Sequence, residues 1–145
     1  MPRLDATRLA AWRDLQRTVF AINREIDDDL RREWAVPLGS FEVLAALREL
    51  GGRARPQDVA TWMRIPPSSL SRRLDRLAEE GWIARHREVD PEDHRAVEVE
   101  LTRRGRALWR EMNVSYRRSV QARFAGILDD DEIAGVTELN RRYDT

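Results

Sequence analysis

The chain has no cysteine and no lysine; all 26 of its basic residues are arginine. Without cysteine it forms no disulfide, and no thiol can sense an oxidant or bind a metal. A GC-rich genome accounts for the choice of arginine over lysine without any functional cause. Histidine is scarce as well. His86 and His94 are the only two, which argues against zinc sensing, and no metal site is expected. Long apolar runs are missing, so no segment reaches the length of a membrane span. The opening MPRLDATRLAAW lacks the apolar stretch of a secretory signal. A cytoplasmic protein that does not touch membranes follows as the expectation. Signs of catalysis are missing too. There is no Gly-rich phosphate loop, no cysteine nucleophile and no histidine beside a plausible serine nucleophile. The expectation is a protein that is not an enzyme and uses no cofactor.

What remains is 145 residues, 41% apolar and 36% charged, enough for one domain with helical extensions. Net charge is zero, so nothing draws the whole molecule toward nucleic acid. The charge is uneven, however. Residues 103–123 carry seven arginines against Glu111 alone, and Asp129–Glu132 is a run of four acids. A neutral total can hide a basic face.

The most informative stretch is Ile65–Gly81, IPPSSLSRRLDRLAEEG. Leu70, Leu74, Leu77 and Ala78 recur at helical spacing and define an apolar back. Ser68, Ser69, Arg72 and Arg76 fall on the outer face, and Pro66-Pro67 stops a helix from running in from the left. Arginine can bond guanine edges in a bidentate way and serine can reach bases or phosphates, so such a helix suits a DNA major groove. The plain reading is a surface helix with solvated charges, and the flanking elements decide between the two. Pro56 opens a preceding helix over Gln57–Met63 that buries Val59, Ala60 and Met63 or Trp62. Helix, short turn and helix with a polar front make a helix-turn-helix. After Gly81, Trp82–Val89 reads as a strand, Asp90–His94 as a turn, and Val97, Val99 and Leu101 as a half-exposed strand. A hairpin placed there is a wing.

The flanks are helical. Residues 4–34 read as one helix, with Leu9, Trp12, Leu15, Val19, Ile22, Ile26 and Leu30 in a stripe that packs either on the core or on a second copy of the chain. Asp27-Asp28-Asp29 reads as a solvated face. Ser40 is expected to cap a helix over Phe41–Leu50 that Gly51-Gly52 ends, and Arg53–Arg55 to form a one-rung strand. Thr102 caps a helix to about Ile127, with Leu108, Met112, Tyr116, Val120 and Phe124 along one side. Asp129 and Glu132 form a capping box for a last helix. The fold class is therefore mainly α with a small β-hairpin (α+β). It is divided as an N-terminal helix over 1–34, a winged helix-turn-helix over 35–102 and C-terminal helices over 103–145.

In this order of elements the chain resembles the MarR family of winged-helix transcription regulators. The residues that carry the resemblance are Ser68–Leu77, Gly81–Arg85, and the wing with its following strand: Asp93, Arg95, Leu101, Thr102 and Gly105. The resemblance implies an obligate homodimer whose first and last helices interlock. Two lobes would then reach successive grooves of a near-palindromic operator on double-stranded DNA. It implies that Arg95 enters the minor groove, where narrow A·T tracts deepen the negative potential, and that Asp93 orients it or pairs with Arg85 or Arg87. The wing is about two residues longer than the family's usual one, which leaves open which of Arg85 and Arg87 braces the tip.

Ser68, Ser69, Ser71, Arg72 and Arg76 are expected to face the major groove, with Arg72 as the first choice for a base contact. Arg53 and Arg55 would touch phosphates; Arg73 is counted with the DNA-binding residues, or else packs sideways because it lies nearer the apolar back; Arg87, Asp93 and His94 are counted with them on the wing. The family pattern further implies a repressor released by a small, often aromatic and anionic effector. Trp12, Phe20, Trp34, Trp62 and Arg13 are candidates to line its pocket, although each tryptophan is expected simply in the core. The rival reading is a winged helix used only for protein contacts, without DNA.

Overall fold

The computed structural model describes residues 1–87 and 97–145. Elements follow in the order α1 (Ala6–Trp34), α2 (Leu38–Glu49), β1 (Arg53–Ala54), α3 (Pro56–Met63), α4 (Pro67–Glu79), β2 (Ile83–Arg87), β3 (Val97–Leu101), α5 (Arg103–Arg123), a 3-10 turn (Ala125–Ile127) and α6 (Asp130–Asp144). The hairpin strands β2 and β3 pair antiparallel, and β1 adds to the other side of β3, giving the sheet order β1-β3-β2.

Two apolar clusters organise the molecule. The larger is the winged-helix lobe: Val43, Leu44 and Leu47 of α2, Val59 and Ala60 of α3, Leu70, Leu74 and Leu77 of α4, with Ile83, Val99 and Leu101 of the sheet. The three α4 leucines are all buried, as their spacing requires; each contributes about 2 kcal/mol through area removed from water. The second cluster joins Ile26 and Leu30 of α1 to Phe41 of α2 and Met112 of α5. Trp82, Leu108 and Trp109 pack against both, so α5 seats the lobe on α1.

Several local expectations are corrected. Helix α2 starts at Leu38, with Pro37 at the cap position and Ser40 buried inside the first turn. The cap comes from elsewhere: the Leu38 N–H donates to Asp27 Oδ1 at 2.8 Å. The acidic triplet is therefore not merely a solvated face. Asp29 likewise turns inward and accepts from Ser119 Oγ at 2.6 Å and from Arg123 Nη2 and Nε at 3.1 and 3.2 Å. Trp34 Nε1 donates to Ser115 Oγ at 2.9 Å, one turn earlier on α5. Three polar contacts thus run down the α1–α5 seam. Helix α5 stops at Arg123, four residues short of the expected end, and the 3-10 turn containing Gly126 follows.

Other caps stand as read. Thr102 accepts from the Gly105 N–H at 3.1 Å, and Asp129 and Glu132 form a reciprocal capping box. Gly105 has a packing reason as well. A Cβ there would sit 1.9 Å from the Trp82 carbonyl oxygen, so only glycine lets α5 approach the start of β2 this closely.

The tryptophans divide. Trp34, Trp82 and Trp109 are partly buried, but Trp12 and Trp62 are 56% and 51% exposed, against the expectation that all five lie in the core. With Trp12, Leu15 and Val19 are also exposed on the N-terminal half of α1, as are Val136, Leu139 and Tyr143 on α6.

Candidate nucleic-acid interface

Helix α3 ends at Arg64, whose left-handed backbone (φ 57°) turns the chain through Ile65 into α4. Pro67 occupies the first helical position of α4, where the missing N–H costs nothing. From there the helix presents Ser68, Ser69, Ser71, Arg72 and Arg76, all exposed, while its leucines face the core. The five groups expected on the major-groove face therefore share one outward surface.

Arg73 does not join them. It is half-buried, with Nη1 3.5 Å from the Gly39 carbonyl oxygen and 3.7 Å from Glu42 Oε2 at the start of α2. Its position follows from the helical period: it is the arginine adjacent to Leu74 and Leu70 on the inner side. Arg72, Arg73 and Arg76 all border a shallow depression of about 380 Å³ shared with Arg31 and Gly39. Arg31 was not singled out in the sequence. It sits on α1, 41 positions from Arg72, and only the packing of α1 beside α2 brings it near; it is paired with Asp27 at 2.7 Å.

The root of the β2–β3 hairpin is tied to α4. Arg85 Nη2 lies 2.5 Å from Asp75 Oδ1 on α4, so among the described residues Arg85 braces the wing against the helix. Arg87 is exposed at the end of β2, opposite Val97. Arg53 on β1 pairs with Glu98 and Glu100 of β3, and His86 Nε2 approaches Glu100 at 3.5 Å. Arg53 is thus held across the sheet, and Arg55 is exposed just before α3. Asp93, His94 and Arg95, the expected wing tip, lie outside the described residues.

Between α4 and α5 a depression of about 330 Å³ is lined by Phe41, Glu42, Trp62, Met63, Arg73 and Tyr116. Of the residues expected to line an effector pocket, Trp62 alone is here; Trp34 is engaged with Ser115, and Trp12 and Phe20 are exposed on α1. Burial pushes the Glu42 carboxyl and the Tyr116 phenol above their ordinary pKa values. The Phe41 and Tyr116 rings meet at 4.7 Å. Among the described residues no group of three His, Cys, Asp or Glu could hold a metal ion, and no helix is long and apolar enough to cross a membrane.

The MarR family pattern matches residues 36–97, which span α2 through the start of β3. The transcriptional regulator PecS of Dickeya dadantii (strain 3937) is 31% identical over 109 residues. That match covers 74% of this chain and 64% of PecS, so the chain spans slightly less than two thirds of that relative. Among solved structures, Sco3205, a MarR family transcriptional regulator from Streptomyces coelicolor in complex with DNA, superposes with a TM-score of 0.85 at 25% identity. It covers 99% of this chain and 90% of its own. BpsR of Bordetella bronchiseptica, whose DNA binding is regulated by 6-hydroxynicotinic acid, superposes with a TM-score of 0.81 at 26% identity over 94% and 99% of the two chains. Residues 36–97 thus match the MarR family, and over nearly its whole length the chain is similar to MarR-family winged-helix transcription regulators.

Proposed function

We propose that this chain is a homodimeric repressor that binds a near-palindromic operator in double-stranded DNA. Helix α4 enters the major groove, and Arg95 enters the adjacent minor groove. The lobe over 35–102 carries the DNA contacts; the helices of 1–34 and 103–145 carry the dimer. The observation that bears most weight is the α4 surface, where three serines and two arginines face outward and every leucine faces inward. Arginine on such a face reads guanine edges, and serine hydroxyls reach bases or phosphates. The complex of Sco3205 with DNA supports the same use of the same fold.

The dimer is supported by the apolar residues that a single chain leaves exposed on α1 and α6. A helix whose apolar face has no partner in its own chain gains stability by burying it against another. Control by a small ligand is supported by the depression between α4 and α5 and by the regulation of BpsR by 6-hydroxynicotinic acid. A repressor of this kind works where the chromosome is, in the cytoplasm.

Gel-shift titration on genomic fragments recovered with the protein tests this reading. Two protomers per site are expected, with affinity falling steeply as salt rises through counterion release. A stable monomer in solution, or no DNA binding even at low salt, overturns it and favours a winged helix that serves protein contacts.

A further inference from the structure

A second arginine cluster lies away from α4. A concavity of about 610 Å³ opens between the end of α2 and the first turns of α5. Arg48, Arg106 and Arg110 line it, with Glu49, Gly52 and Trp109. Arg106 and Arg110 are one helical turn apart and project from the same face of α5. The Arg48 guanidinium lies 3.9 Å above the Trp109 ring, which holds it in place. Arg106 Nη2 lies over Gly52, at ordinary contact distance from where a Cβ would stand.

One feature of this site asks for a ligand. Arg73, Arg85 and Arg123, which face neighbouring elements, pair with carboxylates. Among the described residues, Arg48, Arg106 and Arg110 have no carboxylate partner. Three unneutralised guanidiniums lining one concavity are an arrangement completed by an oxyanion. Three positive charges against Glu49 leave a surplus of two, which matches a doubly charged group.

We infer that this concavity binds a small phosphate dianion, either inorganic phosphate or a phosphate monoester. DNA is the less suitable source of that phosphate. The site lies at the root of the sheet, where the Gly52 carbonyl accepts from the Leu101 N–H at 2.8 Å and Leu101 pairs with Ile83. The Arg87–Val97 end of the hairpin, toward which the proposed DNA contacts lie, is about 13 Å away at the usual rise per strand residue. The inference does not depend on DNA recognition, because phosphate binding is measured without DNA.

The test is isothermal titration of the full-length protein with inorganic phosphate and, separately, with glycerol phosphate, at ionic strength held constant with chloride. One saturable site per chain is expected. Affinity should fall at least tenfold in the double variant Arg106→Ala/Arg110→Ala and hold in Arg117→Ala, another exposed arginine of α5. Preference for glycerol phosphate identifies an ester as the ligand, and equal affinity identifies the free ion. Circular dichroism of the double variant checks that it stays folded, and Arg106→Glu, which reverses the charge, should abolish binding. Heats that do not saturate, or that are the same in all variants, overturn the inference. So does a drop of about two in the salt slope of DNA binding for the double variant in phosphate-free buffer, which would assign both arginines to the DNA backbone.

Discussion

Asp29 on α1 accepts a hydrogen bond from Ser119 on α5 at 2.6 Å, across 90 residues of sequence, and shares its other contacts with Arg123. The Arg123 hydrogen bonds, then that of Ser119, hold the Asp29 carboxyl below its ordinary pKa of 3.8. A carboxylate whose folded value is depressed stabilises the fold above its unfolded value and loses that contribution as the pH falls through the lower one. Asp29→Asn is therefore expected to lower stability at pH 7 by about 1–3 kcal/mol, the usual range for losing hydrogen bonds to a charged group. The variant should also lose less stability than the parent below pH 4. Urea unfolding at pH 7 and pH 3 checks both.

Gly105 and Gly135 should respond in opposite directions to alanine. At Gly105 the new Cβ would meet the Trp82 carbonyl at 1.9 Å, backbone that cannot step aside, so a loss of about 3 kcal/mol or more is expected. At Gly135, inside α6, nothing lies within 4 Å, and alanine should gain about 0.5–1 kcal/mol from helix propensity. Thermal unfolding of the two variants side by side measures the contrast; a mild effect at Gly105 would contradict the packing of α5 on β2.

Arg72 and Arg73 are neighbours in sequence that the fold places differently, one exposed and one half-buried. Arg72→Ala should weaken operator binding by about 1–3 kcal/mol and relax base preference at one position per half-site. Arg73→Ala, which removes the contact to Gly39 and Glu42, should leave base preference intact and lower stability slightly. Binding titrations on matched and mismatched sites, paired with unfolding curves, separate the two. If Arg73→Ala changes base preference instead, the outward surface of α4 has been drawn wrongly.

Leu15 sits 44% exposed between Trp12 and Val19 on α1. Leu15→Asp places a charge in this apolar stripe and is expected to yield monomers that remain helical but bind operator far more weakly. Sedimentation with circular dichroism tests it. A variant that keeps the parent's assembly state would remove α1 from the dimer contact.

The winged lobe was legible because its signals are local. The α4 leucines recur at helical spacing, Pro56 and Pro67 mark helix starts, and the β3 alternation of Val97, Val99 and Leu101 with glutamates gives the strand its period. What escaped the sequence is contact between distant positions. Ser40 looks like a cap by residue type, but Asp27, 11 residues before Leu38, supplies the acceptor and lets α2 begin three residues sooner. Asp27 and Asp29 read as surface charges because their partners, Leu38, Ser119 and Arg123, become neighbours only when α1 lies on α2 and α5. Arg31 escaped for the same reason, as did the cluster of Arg48 with Arg106 and Arg110.

The Arg85–Asp75 contact fastens the wing strand to α4, and β1 holds the other side of the same sheet. A reading head fastened in this way turns as one piece. In the proposed dimer, a signal that loosens the grip on a duplex would act on the pitch or spacing between two such heads.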